Sequence, residues 1–271
     1  MITLGDWVFG RLDAARVWRD LAGARVNYSV DEVRRPSWNI DVHRTALPPE
    51  RPGPPEPGGS WEQACRLVRD YEFSPPEIVR ALYDPAAPLL GRDMLLEARF
   101  HGMHFYCGVR VTAVVDETRD GTERVWGWAY ETLEGHLERG RVAYEVVKRQ
   151  NTGEVLFLVS CHSQGAPTLD RITRLGWRLF GRRTQLRFYR RCAARLGLFV
   201  QSALRGVDPL PGRAPAVGRL VCAPSDARTH RLDALAVHRV APGRRHAGPR
   251  GERGTGRCQP VAPSRSEDGH T

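Results

Sequence analysis

The stretch His104-Phe-Tyr-Cys-Gly-Val-Arg-Val-Thr-Ala-Val-Val115 decides the fold. Phe105, Cys107, Val109, Val111, Ala113 and Val115 recur at every second position, with Tyr106, Arg110 and Thr112 between them. That period predicts a strand with one buried face. Asp116 to Thr122 supplies a turn, and Arg124 to Thr132, with Trp126, Trp128 and Tyr130, returns as a second strand of a hairpin. Two further strands, Arg141–Arg149 and Glu154–His162, flank Asn151-Thr-Gly153, and Leu95–Phe100 supplies an earlier one. The reading is an antiparallel meander of about five strands. The period then changes. Leu169, Ile172, Gly176, Leu179, Leu186 and Ala193 fall at helical spacing, which predicts a long helix over residues 168–197. Consecutive strands followed by one long C-terminal helix specify the α+β class.

Outward from this core, composition marks the boundaries. Residues 11–22 place Leu12, Ala15, Trp18 and Leu21 on one helical face ahead of Gly23, so residues 1–26 are expected to hold an amphipathic helix. Residues 47–59 contain six prolines and three glycines, a composition that excludes helix and strand interiors and predicts an extended surface loop. Ser60 follows as the expected cap of a helix through Trp61, Ala64, Leu67 and Val68. From residue 204 to 271 there is no aromatic residue, and 17 of 68 residues are Pro or Gly. Such a segment buries too little to offset its ordering entropy and is expected to be disordered, leaving 27–203 as the folded domain.

With 271 residues the chain is long enough to build its core without a metal or disulfide staple. Hydrophobic residues make up 41% and mean hydropathy is −0.44, with no apolar run near the ~20 residues of a membrane-spanning helix. The first ten residues show no basic segment leading into an apolar one, so a cytoplasmic location is expected. Six scattered cysteines, without a Cys-x-x-Cys pair or zinc-site spacing, read as reduced and structural. The formal charge of +10 is local: residues 204–271 carry 12 Arg against 6 acids, and residues 168–197 carry nine Arg against Asp170 alone. The remainder is net negative, so the charge does not argue for nucleic acid as a partner.

The segment from Val111 onward also carries a resemblance. Val111-Thr-Ala-Val-Val-Asp-Glu, Gly127-Trp-Ala-Tyr, Thr132-Leu-Glu-Gly-His-Leu-Glu-Arg-Gly140 and Ala143-Tyr-Glu-Val together resemble uncharacterised protein family 0548, a bacterial and plant domain of unknown function. The likeness covers about residues 27–200, and Thr-Leu-x-Gly-His-x-Glu-x-Gly is its specific centre. Departures fall at Glu131, Glu134, Leu137 and Arg141, where that pattern has Gly, Pro, Pro and Glu. The family is similar to the START and birch-pollen-allergen group, which implies a helix-grip fold, an antiparallel sheet gripping the C-terminal helix around an apolar cavity, and a small hydrophobic ligand.

Candidate residues follow. His136 and Glu138, between Gly135 and Gly140, form a candidate acid/base couple, against the plainer reading that His136 ties its loop to the sheet. Phe105, Val109, Trp128, Tyr130, Tyr144, Phe157, Ile172 and Leu179 are expected to line a ligand cavity, though core packing explains inner-face aromatics as well. Arg183, Arg187, Arg190 and Arg191, with Arg182 and Arg195 on the same helix, form a basic face that reads first as solvated, next as suited to anionic lipid headgroups and last as a nucleic-acid contact, for which only Phe188 and Tyr189 interleave as aromatics. His101 and His104 are three apart on a strand with no carboxylate in the run, and Ser160-Cys-His-Ser163 are strand neighbours that cannot converge. No metal or cofactor is expected. Binding of a small apolar ligand is the leading reading; the alternatives are a cyclase- or hydratase-type enzyme using His136 and Glu138, or an anionic-membrane interaction module using the helix arginines.

Overall fold

A computed structural model of the chain describes residues 2–4, 7–10, 13–100, 103–167, 181–208, 210–212, 214–227 and 236–239. In chain order the elements are β1 (Ile2–Leu4), β2 (Trp7–Gly10), α1 (Ala14–Asp20), β3 (Asn39–Leu47), α2 (Ser60–Arg69), β4 (Val79–Tyr83), β5 (Asp93–Phe100) and β6 (Met103–Arg119). They continue as β7 (Glu123–Thr132), β8 (Glu138–Arg149), β9 (Val155–Gly165), α3 (Arg182–Leu204), β10 (Pro215–Val217), β11 (Leu220–Ala223) and β12 (Ala236–Arg239). Nine strands form one antiparallel sheet in the order β10-β11-β4-β5-β6-β7-β8-β9-β3, while β1, β2 and β12 form a separate three-stranded sheet. The expected meander is β5 to β9. Two strands absent from the sequence reading, β4 and β3, extend it on either side.

Helices α2 and α3 cover one face of the large sheet, here called the inner face. Phe188, Tyr189, Cys192, Leu196 and Val200 of α3 and Ala64, Leu67 and Val68 of α2 share one buried cluster with Val109, Trp128, Tyr144, Phe157 and Val159. This is an antiparallel sheet gripping a C-terminal helix, the α+β helix-grip arrangement. The helix runs on to Leu204 instead of ending at 197, and Ile172 and Leu179 lie outside the described residues. On the outer face α1 and its 3₁₀ extension pack Ala14 and Leu21 against Leu82, Leu95, Tyr106 and Leu133. No helix among the described residues is long and apolar enough to cross a membrane.

Three expectations are corrected. The alternation in β6 breaks: Val111 pairs with Tyr130 and Ala113 with Ala129, so one extra residue sits between them. A bulge of this kind turns the following side chains over. Phe105, Cys107, Val109 and Val111 keep the inner face, whereas Val115 packs with Val125, Val147 and Leu156 on the outer one. Secondly, Ser60 does not cap α2. Gly59 holds the cap position, Glu50 Oε1 accepts the Trp61 N–H at 2.7 Å, and the Ser60 hydroxyl is buried without a hydrogen-bond partner.

Thirdly, the segment after residue 204 is not structureless throughout. Leu220-Val-Cys-Ala223 adds to the open edge of β4, pairing Val221 with Tyr83, Cys222 with Leu82 and Ala223 with Ala81, and all four residues are buried. Ser225 N–H donates to Glu72 Oε2 at 2.7 Å, and Arg195 of α3 pairs with Asp226 at 2.5 Å. Averaged over 68 residues the composition conceals this four-residue apolar run, which is long enough to pair with a five-residue strand. Residues 240–271 lie outside the described residues.

Candidate functional site

The loop Leu133–Leu137 shows why its motif needs those residues. The Thr132 hydroxyl accepts the Gly140 N–H at 2.9 Å and donates to Asn27 Oδ1 at 2.6 Å, so one side chain joins both ends of the loop and the N-terminal segment. Gly135 has φ +88°, and at Gly140, with φ +155°, a Cβ would lie 2.1 Å from the His162 carbonyl oxygen, so no other residue fits there. His136 Nδ1 accepts the backbone N–H of Glu138 at 2.9 Å. That acceptor role requires a neutral ring with its proton on Nε2. Desolvation acts in the same direction and lowers the His136 pKa to about 4.

Glu138 opens β8 and shares the parity of Tyr144, which puts its carboxyl on the inner face. Burial raises its pKa to about 7, against the opposing pull of Arg182 and a hydrogen bond with Ser163. His136 and Glu138 are thus neighbours whose side chains do different things: the ring holds the loop and the carboxyl faces the interior.

Around Glu138 the inner face carries a chain of polar contacts beneath the start of α3. Gln185 Nε2 donates to Ser163 Oγ at 2.9 Å, and Arg182 donates to Gln185 Oε1 at 2.9 Å. Arg182 also makes a two-pronged pair with Asp41 of β3, both bonds 2.5 Å, which holds the Asp41 carboxyl below its ordinary range. Tyr189 donates to Cys161 Sγ at 3.0 Å and packs its ring, tilted by 37°, against His43, whose Nε2 is buried without a partner. Asp41, Gln185 and His43 were not singled out from the sequence. Their only signal is register, since Asp41 pairs with Cys161 across β3 and β9.

Of the residues expected to line a cavity, Val109, Trp128, Tyr130, Tyr144 and Phe157 meet in the main inner cluster, while Phe105 sits in a satellite with Cys107, Leu137 and Ala166. Trp128 Nε1 donates to the Val68 carbonyl at 3.0 Å, fastening β7 to α2. The Tyr144 and Phe157 rings are parallel within 4° at 6.3 Å, and Phe73 packs against both at 4.7 and 5.6 Å. Tyr71 and Phe73, from the turn after α2, belong to this cluster and were not foreseen.

The arginines of α3 divide. Arg182 and Arg195 are half-buried in ion pairs with Asp41 and Asp226, so they do not belong to a free basic face. Arg183, Arg187, Arg190 and Arg191 are exposed, and of these Arg191 pairs with Glu77 at 2.8 Å. Among the described residues no three His, Cys, Asp or Glu side chains are grouped as a metal-ligand set, and Cys65, Cys107, Cys161, Cys192 and Cys222 are buried.

Sheet, gripped helix and inward polar residues define the class as a helix-grip α+β domain. Residues 15–195 match the model of the domain of unknown function DUF1990, and the chain belongs to that family. This bears out the resemblance carried by Thr132–Gly140. No curated protein matches the chain. Among solved structures it is similar to a hypothetical protein from Helicobacter pylori, at 12% identity over 65% of this chain and 96% of that one, with a TM-score of 0.42. A protein from Thermus thermophilus is 14% identical over 61% and 99%, with a TM-score of 0.40. Norcoclaurine synthase from Thalictrum flavum, solved with dopamine and hydroxybenzaldehyde, is 8% identical over 61% and 87%, with a TM-score of 0.39. The fold assignment stands on the strands and helices described above.

Proposed function

We propose that the domain binds a small hydrophobic molecule between the inner face of the sheet and α3, with Glu138 as a polar anchor. The observation that carries this reading is the placement of the Glu138 carboxyl on the inner face, between the polar chain of Ser163, Gln185 and Arg182 and the aromatic cluster, where burial raises its pKa to about 7. A neutral carboxyl both donates and accepts a hydrogen bond, so it orients an uncharged ligand without the cost of burying a charge. Ligand sites combine apolar walls with a few such groups. Native mass spectrometry of the purified protein, followed by solvent extraction, tests the reading. A stoichiometric apolar adduct supports it; a bare protein that also takes up no hydrophobic compound from a mixed panel argues against it.

One observation favours the enzyme alternative: a carboxyl with pKa near 7 exchanges its proton readily at neutral pH. In that reading Glu138 moves the proton and His136 only holds the loop, because its Nδ1 is already engaged by the Glu138 N–H. Exposed Arg183, Arg187 and Arg190 support a further element, loading of the ligand from an anionic bilayer. Cosedimentation with phosphatidylserine vesicles that vanishes at high salt tests it.

A further inference from the structure

The turn that follows α2 aims a polar group into the aromatic core. Tyr71 has φ +60°, a left-handed backbone that is strained for a bulky residue, and among described non-glycine residues only Asp120 shares a positive φ. Its side chain is 1% exposed, and its ring packs against Phe73, Trp128 and Tyr144 at 5.1, 6.1 and 6.3 Å. The Tyr71 hydroxyl is buried and completes no hydrogen bond of good geometry, though it lies within interaction range of the Tyr130 and Tyr144 hydroxyls. Two more hydroxyls lie alongside: those of Tyr130 and Tyr144 are 3.4 Å apart and share one long bond. Burial raises the pKa of all three phenols, so each keeps its proton.

Three phenols carry three O–H donors and three acceptor oxygens, and the Tyr130–Tyr144 contact is the one bond of good geometry among them. Neighbouring Trp128 offers no acceptor, since its indole is a donor already bound to Val68. A buried donor left unmade is costly, and strain held at a buried polar residue is a mark of a functional site. Held as an open chain, three hydroxyls leave one O–H donor over, and an acceptor oxygen on a ligand would take it.

We propose that the hydroxyls of Tyr71, Tyr130 and Tyr144 recognise an acceptor oxygen on the ligand, and that the ligand is a flat cyclic ketone or quinone, not a hydrocarbon or a fatty acyl chain. The inference rests on the ligand-binding reading above and adds the chemical class. Flat rings match the aromatic walls, and a carbonyl oxygen accepts the O–H left over.

A matched pair of probes tests it: 2-acetonaphthone and 2-isopropylnaphthalene, nearly equal in shape and differing in the carbonyl. Each is titrated into the full-length protein by calorimetry, with affinities corrected for octanol partition. The expected result is a preference for the ketone of ~10-fold or more, the worth of one good hydrogen bond. Tyr71→Phe and Tyr144→Phe should abolish that preference while leaving the hydrocarbon's affinity within about twofold. The bound ketone's C=O stretch should shift to lower frequency in the wild type and shift back in the variants. Tyr130→Phe serves as the second variant if Tyr144→Phe fails to melt cooperatively. Equal affinity for both probes, or a ketone preference that survives the Tyr→Phe changes, overturns the phenol site while leaving the ligand-binding reading standing. If neither probe binds, nor any other apolar compound, the two fall together.

Discussion

Replacing Glu138 by Gln keeps the shape of the side chain and its capacity to bond Ser163, and removes only the ionisable proton. In the folded protein the carboxyl titrates near 7, against an ordinary 4.5, with burial as the main cause. The folded state therefore binds more protons than the unfolded chain between those values, and wild-type stability falls as pH rises through that window. At about 1.4 kcal/mol per pKa unit the full effect is about 3 kcal/mol, and because the residue is only half-buried we expect about 2–3 kcal/mol. Urea unfolding of both proteins at intervals from pH 4 to 8.5 reads it out. The variant should gain on the wild type steadily from about pH 4.5 to 7 and keep its advantage above that, with the melting midpoint higher by ~4–12 °C at pH 8. His136 has the opposite sign, since a depressed histidine destabilises the fold as pH falls below 6.5, but it is common to both proteins and cancels in the difference. Parallel curves, or a variant less stable at pH 8, would show that Glu138 is ionised and paired with Arg182, and the polar-anchor argument would fail.

Three further perturbations follow from the same structure. His136→Asn keeps an acceptor for the Glu138 N–H but no imidazole, so it should remove acid-side destabilisation between about pH 6.5 and 4 and leave ligand affinity within about twofold; paired titrations of stability and binding check both. Lys148→Met leaves the Glu50 carboxylate buried without its cation, 2.5 Å from the former Nζ, and should cost ~3–5 kcal/mol in urea unfolding at pH 7. Deleting residues 205–271 removes β11 with Leu220 and Val221, each worth ~1.5–3 kcal/mol of burial, and exposes the edge of β4. A loss of that size is a large share of a domain's ~5–15 kcal/mol, so the truncated chain should lose its cooperative melt by calorimetry; an unchanged midpoint would show that β11 contributes nothing.

What the sequence made legible depended on how evenly each element is buried. Strands β5 to β9 lie within the sheet and kept a recognisable period or turn, so they were readable. The edge strand β3 runs Asn-Ile-Asp-Val-His-Arg-Thr-Ala-Leu, where apolar Ile40 and Val42 face outward and are exposed while polar Asp41 and His43 face inward, the reverse of the usual pattern. In β4 both faces are covered, with Arg80 buried against Glu97 as fully as Ala81 and Leu82, so no alternation survives. The bulge after Val111 leaves no mark because Thr-Ala-Val-Val reads as strand in either register.

The site was half legible. Glu138 lay within a motif whose glycines have backbone reasons, but its inward direction came from the parity of β8. Tyr71 was invisible, because its role depends on a left-handed turn that aims an ordinary core residue at hydroxyls from β7 and β8. Lys148, the chain's one lysine, reads as a surface charge beside Arg149, yet it is fully buried and bonds Glu50 and the Pro54 carbonyl of the proline loop. That loop is thereby fastened to the sheet by contacts 94 and 98 residues apart in sequence, which no local pattern encodes.

The most direct test of ligand binding at the inner face is titration with 1-anilinonaphthalene-8-sulfonate of the wild type and of Val109→Trp. Val109 is fully buried on that face, and the larger ring would occupy ligand space at an overpacking cost of ~1–3 kcal/mol, with circular dichroism confirming that the variant folds. The account predicts saturable binding at one site in the wild type, displaced by apolar ring compounds and absent from the folded variant. A folded wild type with no saturable binding, or a folded variant that binds undiminished, would contradict it.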